Sequence, residues 1–231
     1  MSLIQTHDLG KTYNPNTIPV EAVKHVDLQI EKKEFTAIVG PSGSGKTTLL
    51  NLVGGLDQPS YGNIVIDGTD IANLKSSRMV EYRLHHIGFV FQAYNLIPVF
   101  NAKENVEFIM LLQKISKSER EKKAVEFLKA VGLEDRVNSK PTQLSGGQQQ
   151  RVAVSRAVVA KPKLILADEP TGNLDSKNSE EVMDILTKLN EAGTTIVMVT
   201  HSPHDAEYSH RIIHLFDGQV VTENIKEGYH V

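Results

Sequence analysis

Gly40-Pro41-Ser42-Gly43-Ser44-Gly45-Lys46-Thr47 fits the pattern G-x-x-x-x-G-K-[ST] at every fixed position. Phe35 to Val39 before it predict a short buried strand, and Thr47 to Val53 after it predict a helix. That setting makes the stretch a cradle for phosphate. The glycines let the backbone curl so that successive N–H groups point at one place. The helix adds its positive dipole end and its free amides. Lys46 carries a full charge for β- and γ-phosphates, Thr47 offers a hydroxyl to Mg²⁺, and Thr48 extends the polar wall. The expected ligand is a nucleoside triphosphate with Mg²⁺.

The remainder of the 231-residue chain narrows the choice of partners. Hydrophobic residues make up 40% and charged residues 23%, enough apolar material for a real core. A formal charge of −3 argues against general affinity for nucleic acid. With no cysteine there can be no disulfide, thiolate nucleophile or cysteine-zinc site, which fits a reducing compartment. The stretch Met1 to Asp8 lacks the apolar core of a signal peptide. No apolar run approaches the roughly 18 residues of a membrane helix.

Periodicity divides the chain. Leu3 to Leu9, Val20 to Ile30, Asn63 to Gly68 and Ile87 to Phe91 predict strands, with a turn-rich loop at Asn14 to Pro19. Ala102 to Ile115 predicts a helix. A second opens at a capping box, Ser118-Glu119-Arg120-Glu121, and ends near Gly132. A third is expected over Gln149 to Val159. Lys163 to Ala167 and Thr194 to Val199 predict buried strands around a helix from Ser179 to Ala192. Ile212 to Phe216 and Val220-Val221 predict a closing hairpin. Alternating strands and helices imply a largely parallel sheet.

Two further stretches carry chemistry. Leu164-Ile165-Leu166-Ala167-Asp168-Glu169 is an apolar strand ending in two acids, costly to place there without work or partners. Beside a phosphate loop, Asp168 is a candidate Mg²⁺ holder, and Glu169 stands where an attacking water would sit. Ser145, Gly146, Gly147 and Gln148 form a second possible anion site of hydroxyl, bare amides and helix dipole. Taken alone, that stretch reads as an ordinary N-cap. His201, His204, Asp205 and His210 cluster in sequence, but their spacing fits no standard zinc motif. His85-His86 reads as a solvated pair.

In this order and spacing, the phosphate loop, Leu144-Ser145-Gly146-Gly147-Gln148 and Asp168-Glu169 resemble the ATP-binding cassette (ABC) ATPases over nearly the whole chain. The resemblance implies an α/β fold of P-loop NTPase type. Its RecA-like core (1–92 and 160–222) would hold a mostly parallel sheet, with an N-terminal antiparallel β part. A helical signature subdomain (93–159) would be inserted and a polar tail (223–231) would follow, all within one ATP-binding domain, 1–231. It also implies roles: Gln92 as the Q-loop glutamine touching Mg²⁺, Asn173-Leu174-Asp175 as the D-loop, His201 as the switch histidine and Tyr13 as the aromatic that stacks on adenine. ATP would be sandwiched between the phosphate loop of one copy and Ser145–Gln148 of a second.

Gln92 to Pro98, Glu104-Asn105-Val106 and Leu166 to Asp175 look like the lipoprotein-release and macrolide-exporter type, which also includes a cell-division ATPase. The pair Gly172-Asn173 departs from the more general Ser-Ala before Leu-Asp. Macrolide exporters carry a membrane segment on the same chain; without one here, the expectation is a subunit at the cytoplasmic face of the inner membrane, held by a separate integral membrane transporter subunit. The rivals are a small-solute importer ATPase and a nucleic-acid-linked ABC ATPase. The 51 residues between Gln92 and Leu144 leave no room for the coiled coil of DNA-repair members.

Overall fold

The chain first builds a hairpin from two long strands, β1 (Ser2–Tyr13) and β2 (Val20–Glu31), around the loop rich in Asn and Pro. In this computed structural model, residues 2–226 are described; the expected tail beyond 226 lies outside them. β3 (Phe35–Val39) runs through the phosphate loop into α1 (Lys46–Val53). β4 (Tyr61–Ile66) and β5 (Thr69–Asp70) then pair with β1, giving an antiparallel sheet of order β2-β1-β4-β5. α2 (Ser76–His86) leads into β6 (Ile87–Phe91).

A helical stretch follows: α3 (Ala102–Leu112), α4 (Lys117–Ala130) and α5 (Gly146–Val158). The chain returns through β7 (Leu164–Asp168), α6 (Ser176–Glu191), β8 (Thr195–Thr200), the single turn α7 (Pro203–Ala206) and the hairpin β9 (Arg211–Phe216) and β10 (Gln219–Ile225). The second sheet has order β10-β9-β3-β8-β7-β6, parallel except for β10.

Burial on both faces explains why its central strands are continuously apolar. Successive residues of β7 and β8 serve opposite sides. Leu164, Leu166, Val197 and Val199 join Leu49 and Leu52 of α1 and the antiparallel sheet in one core. Ile165, Ala167, Ile196 and Met198 join Val182, Met183 and Leu186 of α6 in another. A third core, with Val106, Met110, Leu128 and Val152, lies among α3, α4 and α5. α5 belongs to two of these: Val152 faces the helices, whereas Val154, Ala157 and Val158 pack toward the parallel sheet.

Several boundaries differ from the sequence expectation. α4 is capped by Ser116, whose hydroxyl accepts from the Glu119 N–H, so the helix starts before Ser118. α5 and α6 each begin three residues early because Ser145 and Asp175 are their N-caps. β10 runs to Ile225, so 223–225, expected in the tail, are sheet. α2 was not foreseen. Its only buried residue is Met79, and no side chain caps it, so it shows neither apolar period nor start signal. His86 is not merely solvated: its ring lies 4.5 Å from that of Tyr82, and burial holds its pKa low.

Asp67, at positive φ in the β4–β5 turn, ties the sheets together. Its carboxylate lies 2.7 Å from Lys32 Nζ and 2.5 Å from Lys163 Nζ. Hydrogen bonds from Lys163 and then Lys32 hold its pKa at about 2, against an ordinary 3.8. A depressed carboxyl pKa stabilises the fold above the ordinary value, and the contribution is lost as pH falls toward the folded value. Asp67→Asn, which keeps a residue tolerant of positive φ, should therefore cost about 1 kcal/mol at neutral pH in urea melts. The gap from wild type should narrow as pH drops below 3.8. A gap independent of pH would assign the loss to the turn and not to the charge.

Candidate functional site

Register in the parallel sheet sets out the site before any side chain is considered. Phe91 pairs with Asp168, Asp168 with Val199, and Val39 with Thr200. Gly40, Gln92, Glu169 and His201 therefore all leave the sheet at its carboxyl edge, one step past or beside those pairs. Open α/β sheets place their ligand crevice at such an edge.

The loop from Gly40 to Thr47 closes on its own lysine. Lys46 is buried, and its Nζ donates to the carbonyls of Gly40 and Pro41, both at 2.9 Å. Gly45 has φ +99°, and a Cβ there would lie 2.1 Å from the Ala22 carbonyl, so only glycine fits. α1 has no side-chain cap and no acid in its first turn, leaving its positive end uncompensated. The Ser44 hydroxyl is buried with no partner among the described residues. A cleft of about 520 Å³ opens here, lined by Ser42, Gly43, Gly45, Lys46, Thr47 and Thr48 of the loop, with Ala22, Glu169 and His201 opposite. Bare amides, an unpaired hydroxyl and a buried ammonium make a site for an anion.

Thr47, which lines the cleft, donates its hydroxyl to a carboxylate oxygen of Asp168, which does not, at 3.1 Å. Burial raises the Asp168 pKa; the Thr47 hydrogen bond opposes that, and the Glu169 charge adds to it. A carboxylate kept short of water beside a hydroxyl is a hard-oxygen pair suited to Mg²⁺.

Glu169 sits at φ +46° in a tight turn, its N–H donating to the Val199 carbonyl and its C=O accepting from Gly172. Its Oε2 lies 2.8 Å from His201 Nδ1. A Cβ on Gly172 would come 2.7 Å from Gln92 Nε2 and 3.3 Å from Glu169 Oε2, so these two side chains meet over that glycine.

Other candidates stand apart. Tyr13 does not line the cleft; its hydroxyl donates to Asp57 at 2.9 Å and meets Thr48, which does. Ser145 and Gln148 satisfy each other in a capping box, Gln148 N–H to Ser145 Oγ at 3.3 Å and Ser145 N–H to Gln148 Oε1 at 2.9 Å. Among the described residues, none of Ser145, Gly146, Gly147 and Gln148 lines the cleft. Asp175 lies on their side: it accepts from Asn178, against whose side chain Gly147 packs. The histidine cluster is split up. His201 faces Glu169, Asp205 accepts from the Thr171 hydroxyl, and His210 Nδ1 accepts from the Phe35 N–H. Ala22 and Asp57 escaped sequence reading because an alanine and a lone acid carry no motif.

The ABC transporter family model matches residues 23–172. YknY of Bacillus subtilis, described as an uncharacterized ABC transporter ATP-binding protein, is 48% identical over 95% of each chain. MJ0796 of Methanocaldococcus jannaschii, likewise described, is 47% identical over 98% of this chain and 99% of its own. The macrolide export ATP-binding/permease protein MacB of Brucella melitensis is 42% identical over 99% of this chain, which spans 35% of that longer protein. A dimeric post-hydrolysis structure of the MJ0796 cassette, bound to ADP and Pi, superposes with a TM-score of 0.91 at 45% identity, covering 98% of this chain and 100% of that one. The fold and the site define a nucleotide-binding cassette on a P-loop scaffold. The chain belongs to the ABC transporter family, as one of its ATP-binding domains, an ATPase.

Lys46→Ala removes the charge that would meet the phosphates on binding. ATP at 100 times its dissociation constant should stabilise the wild type by about 2.7 kcal/mol, a rise of roughly 5–10 °C in melting temperature. The variant should lose most of that shift in a thermal melt. A full shift would exclude Lys46 as the phosphate lysine.

Proposed function

We propose that this chain is the motor subunit of an ABC transporter: it hydrolyses ATP as a dimer of two copies and drives a separate integral membrane partner. The observation that carries the proposal is the Glu169 carboxylate, fixed by its turn and by His201 in the same cleft that Lys46 and Thr47 line, with Asp168 hydrogen-bonded to Thr47. Gly40, Pro41, Ser42, Gly43, Ser44, Gly45, Lys46, Thr47 and Thr48 would bind the phosphates. Tyr13 would face adenine by way of its contact with Thr48. Thr47, Asp168 and Gln92 would hold Mg²⁺, which supplies charge to the phosphate oxygens when bound. Glu169 takes a proton from the attacking water while the water oxygen bonds to the γ-phosphorus. The bond from that phosphorus to the bridging oxygen breaks, leaving ADP and phosphate. Lys46 and His201 stabilise the charge on the phosphoryl oxygens.

That none of Ser145–Gln148 lines the cleft supports the dimer. A helix start that lines no part of its own cleft is of no use to the ATP of its own chain, but the exposed Ser145 and the dipole end of α5 can close over the ATP of a second copy. Asp175, beside it, would face the same interface. The dimeric MJ0796 cassette bound to ADP and Pi fits this reading.

The membrane partner is supported by an apolar groove of about 590 Å³ between the parallel sheet and the helices of 93–159. It is lined by Leu84, Phe89, Phe91, Ile97, Phe108 and Leu112. It begins one residue from Gln92, so motion at the cleft can reach whatever fills it. Among the described residues, no helix is long and apolar enough to cross a membrane. We place the chain at the cytoplasmic membrane face through that partner, in the export or lipoprotein-release branch, a reading that MacB supports. Residues 93–159 would move as the lobe that carries Ser145.

Glu169→Gln should keep ATP binding and lower steady-state turnover by about 10²–10⁴-fold, the usual loss for a general base. Phosphate release and equilibrium nucleotide binding, measured together, check this. Turnover within threefold of wild type would remove Glu169 from the role.

A further inference from the structure

Asn173 is bound twice to one distant residue. Its Nδ2 donates to the Gln92 backbone carbonyl at 3.0 Å, and its Oδ1 accepts from Gln92 Nε2 at 3.4 Å. The chemistry of amides makes this pair directional. A backbone carbonyl only accepts, so the Asn173 nitrogen must face it. That leaves the Asn173 oxygen for the Gln92 side chain, which must then present its own nitrogen. Gln92 Oε1 is left over and accepts no hydrogen bond among the described residues. It is the one atom of that side chain able to bind a hard cation.

Gly172 completes the arrangement. Its missing Cβ is the space in which Gln92 Nε2 lies, 2.7 Å from where that Cβ would stand. Its φ is not in the left-handed region, so the backbone does not require glycine here. The side-chain space does.

We infer that Asn173 is a positioning residue that, with the room left by Gly172, turns the Gln92 amide so that its oxygen faces the metal side of the cleft. The Gly172-Asn173 pair then has a local purpose: it selects which end of an exposed, freely rotating amide is offered to Mg²⁺. The inference rests on the proposed role of Gln92 toward Mg²⁺, and the test separates the two.

The affinity of the full chain for the non-hydrolysable β,γ-imido analogue of ATP is measured by calorimetry, once with saturating Mg²⁺ and once in EDTA. The ratio of the two dissociation constants is the gain due to the metal. Gln92→Ala should reduce that gain, and Asn173→Ala should reduce it about three- to tenfold, the worth of one or two exposed hydrogen bonds. Gly172→Ala should do the same by displacing the amide. Binding in EDTA should be unchanged in all three. Gln92→Ala with Asn173→Ala should match Gln92→Ala alone, because Asn173 has nothing left to orient.

A normal gain in Asn173→Ala with a reduced one in Gln92→Ala would overturn this inference alone. A further loss in the double variant would show that Asn173 does not act through Gln92 and would overturn it as well. A normal gain in Gln92→Ala would overturn the metal role of Gln92 and this inference with it.

Discussion

Parallel pairing of β6, β7, β8 and β3 holds Phe91, Asp168, Val199, Thr200 and Val39 in line across the sheet, and the phosphate loop, Gln92, Glu169 and His201 all hang from that edge. The register is hard to change. A slip of one residue would turn Ile165 and Ala167 toward the core now filled by Leu164 and Leu166, and the reverse. With both faces buried, neither exchange is cheap. Four loops leave the edge together: the phosphate loop after β3, Gln92 after β6, Glu169 after β7 and His201 after β8. The phosphate loop, Glu169 and His201 line one cleft, and Gln92 lies near Glu169 over Gly172.

Local devices then refine what the register delivers. The loop before α1 is shaped around its lysine, with Gly45 in a backbone conformation and a space that no other residue could share. Glu169 is held by the backbone as well as by His201, since its own N–H is spent on the Val199 carbonyl. Burial raises the Asp168 pKa and so disfavours its charge, a penalty that a bound cation would offset. The site thus holds a buried ammonium bonded to two carbonyls, a hydroxyl without a partner among the described residues and a pair of adjacent carboxylates.

Much of this was legible in the sequence because the residues concerned have few substitutes. Gly45, Lys46, Asp168 and Glu169 each meet a backbone or charge requirement that one residue type satisfies, and their order along the chain places them on the sheet edge. Helix starts were less legible. The caps at Ser116 and Asp175 depend on which of several nearby polar side chains turns back to an N–H, and the apolar period begins only a turn later. α2 gave no signal, since Met79 is its only buried residue and the bonds of Tyr82 and Arg83 to distant carbonyls leave no local pattern. The contact of Asn173 with Gln92 joins positions 81 residues apart and shows no local pattern at all.

The proposed function stands or falls on two separate sites, the phosphate loop around Lys46 and the proposed anion site at Ser145–Gln148, which a second copy would bring together. The direct measurement is the mass of Glu169→Gln in solution by light scattering after size-exclusion chromatography. It should be a dimer with ATP and a monomer with ADP, because only the γ-phosphate reaches the second site. Adding Ser145→Arg, an exposed position where a long side chain blocks the approaching phosphate, should leave a monomer that still binds ATP. A dimer that forms equally with ADP, or that survives Ser145→Arg, would contradict the shared site and leave a nucleotide cleft that each chain completes alone.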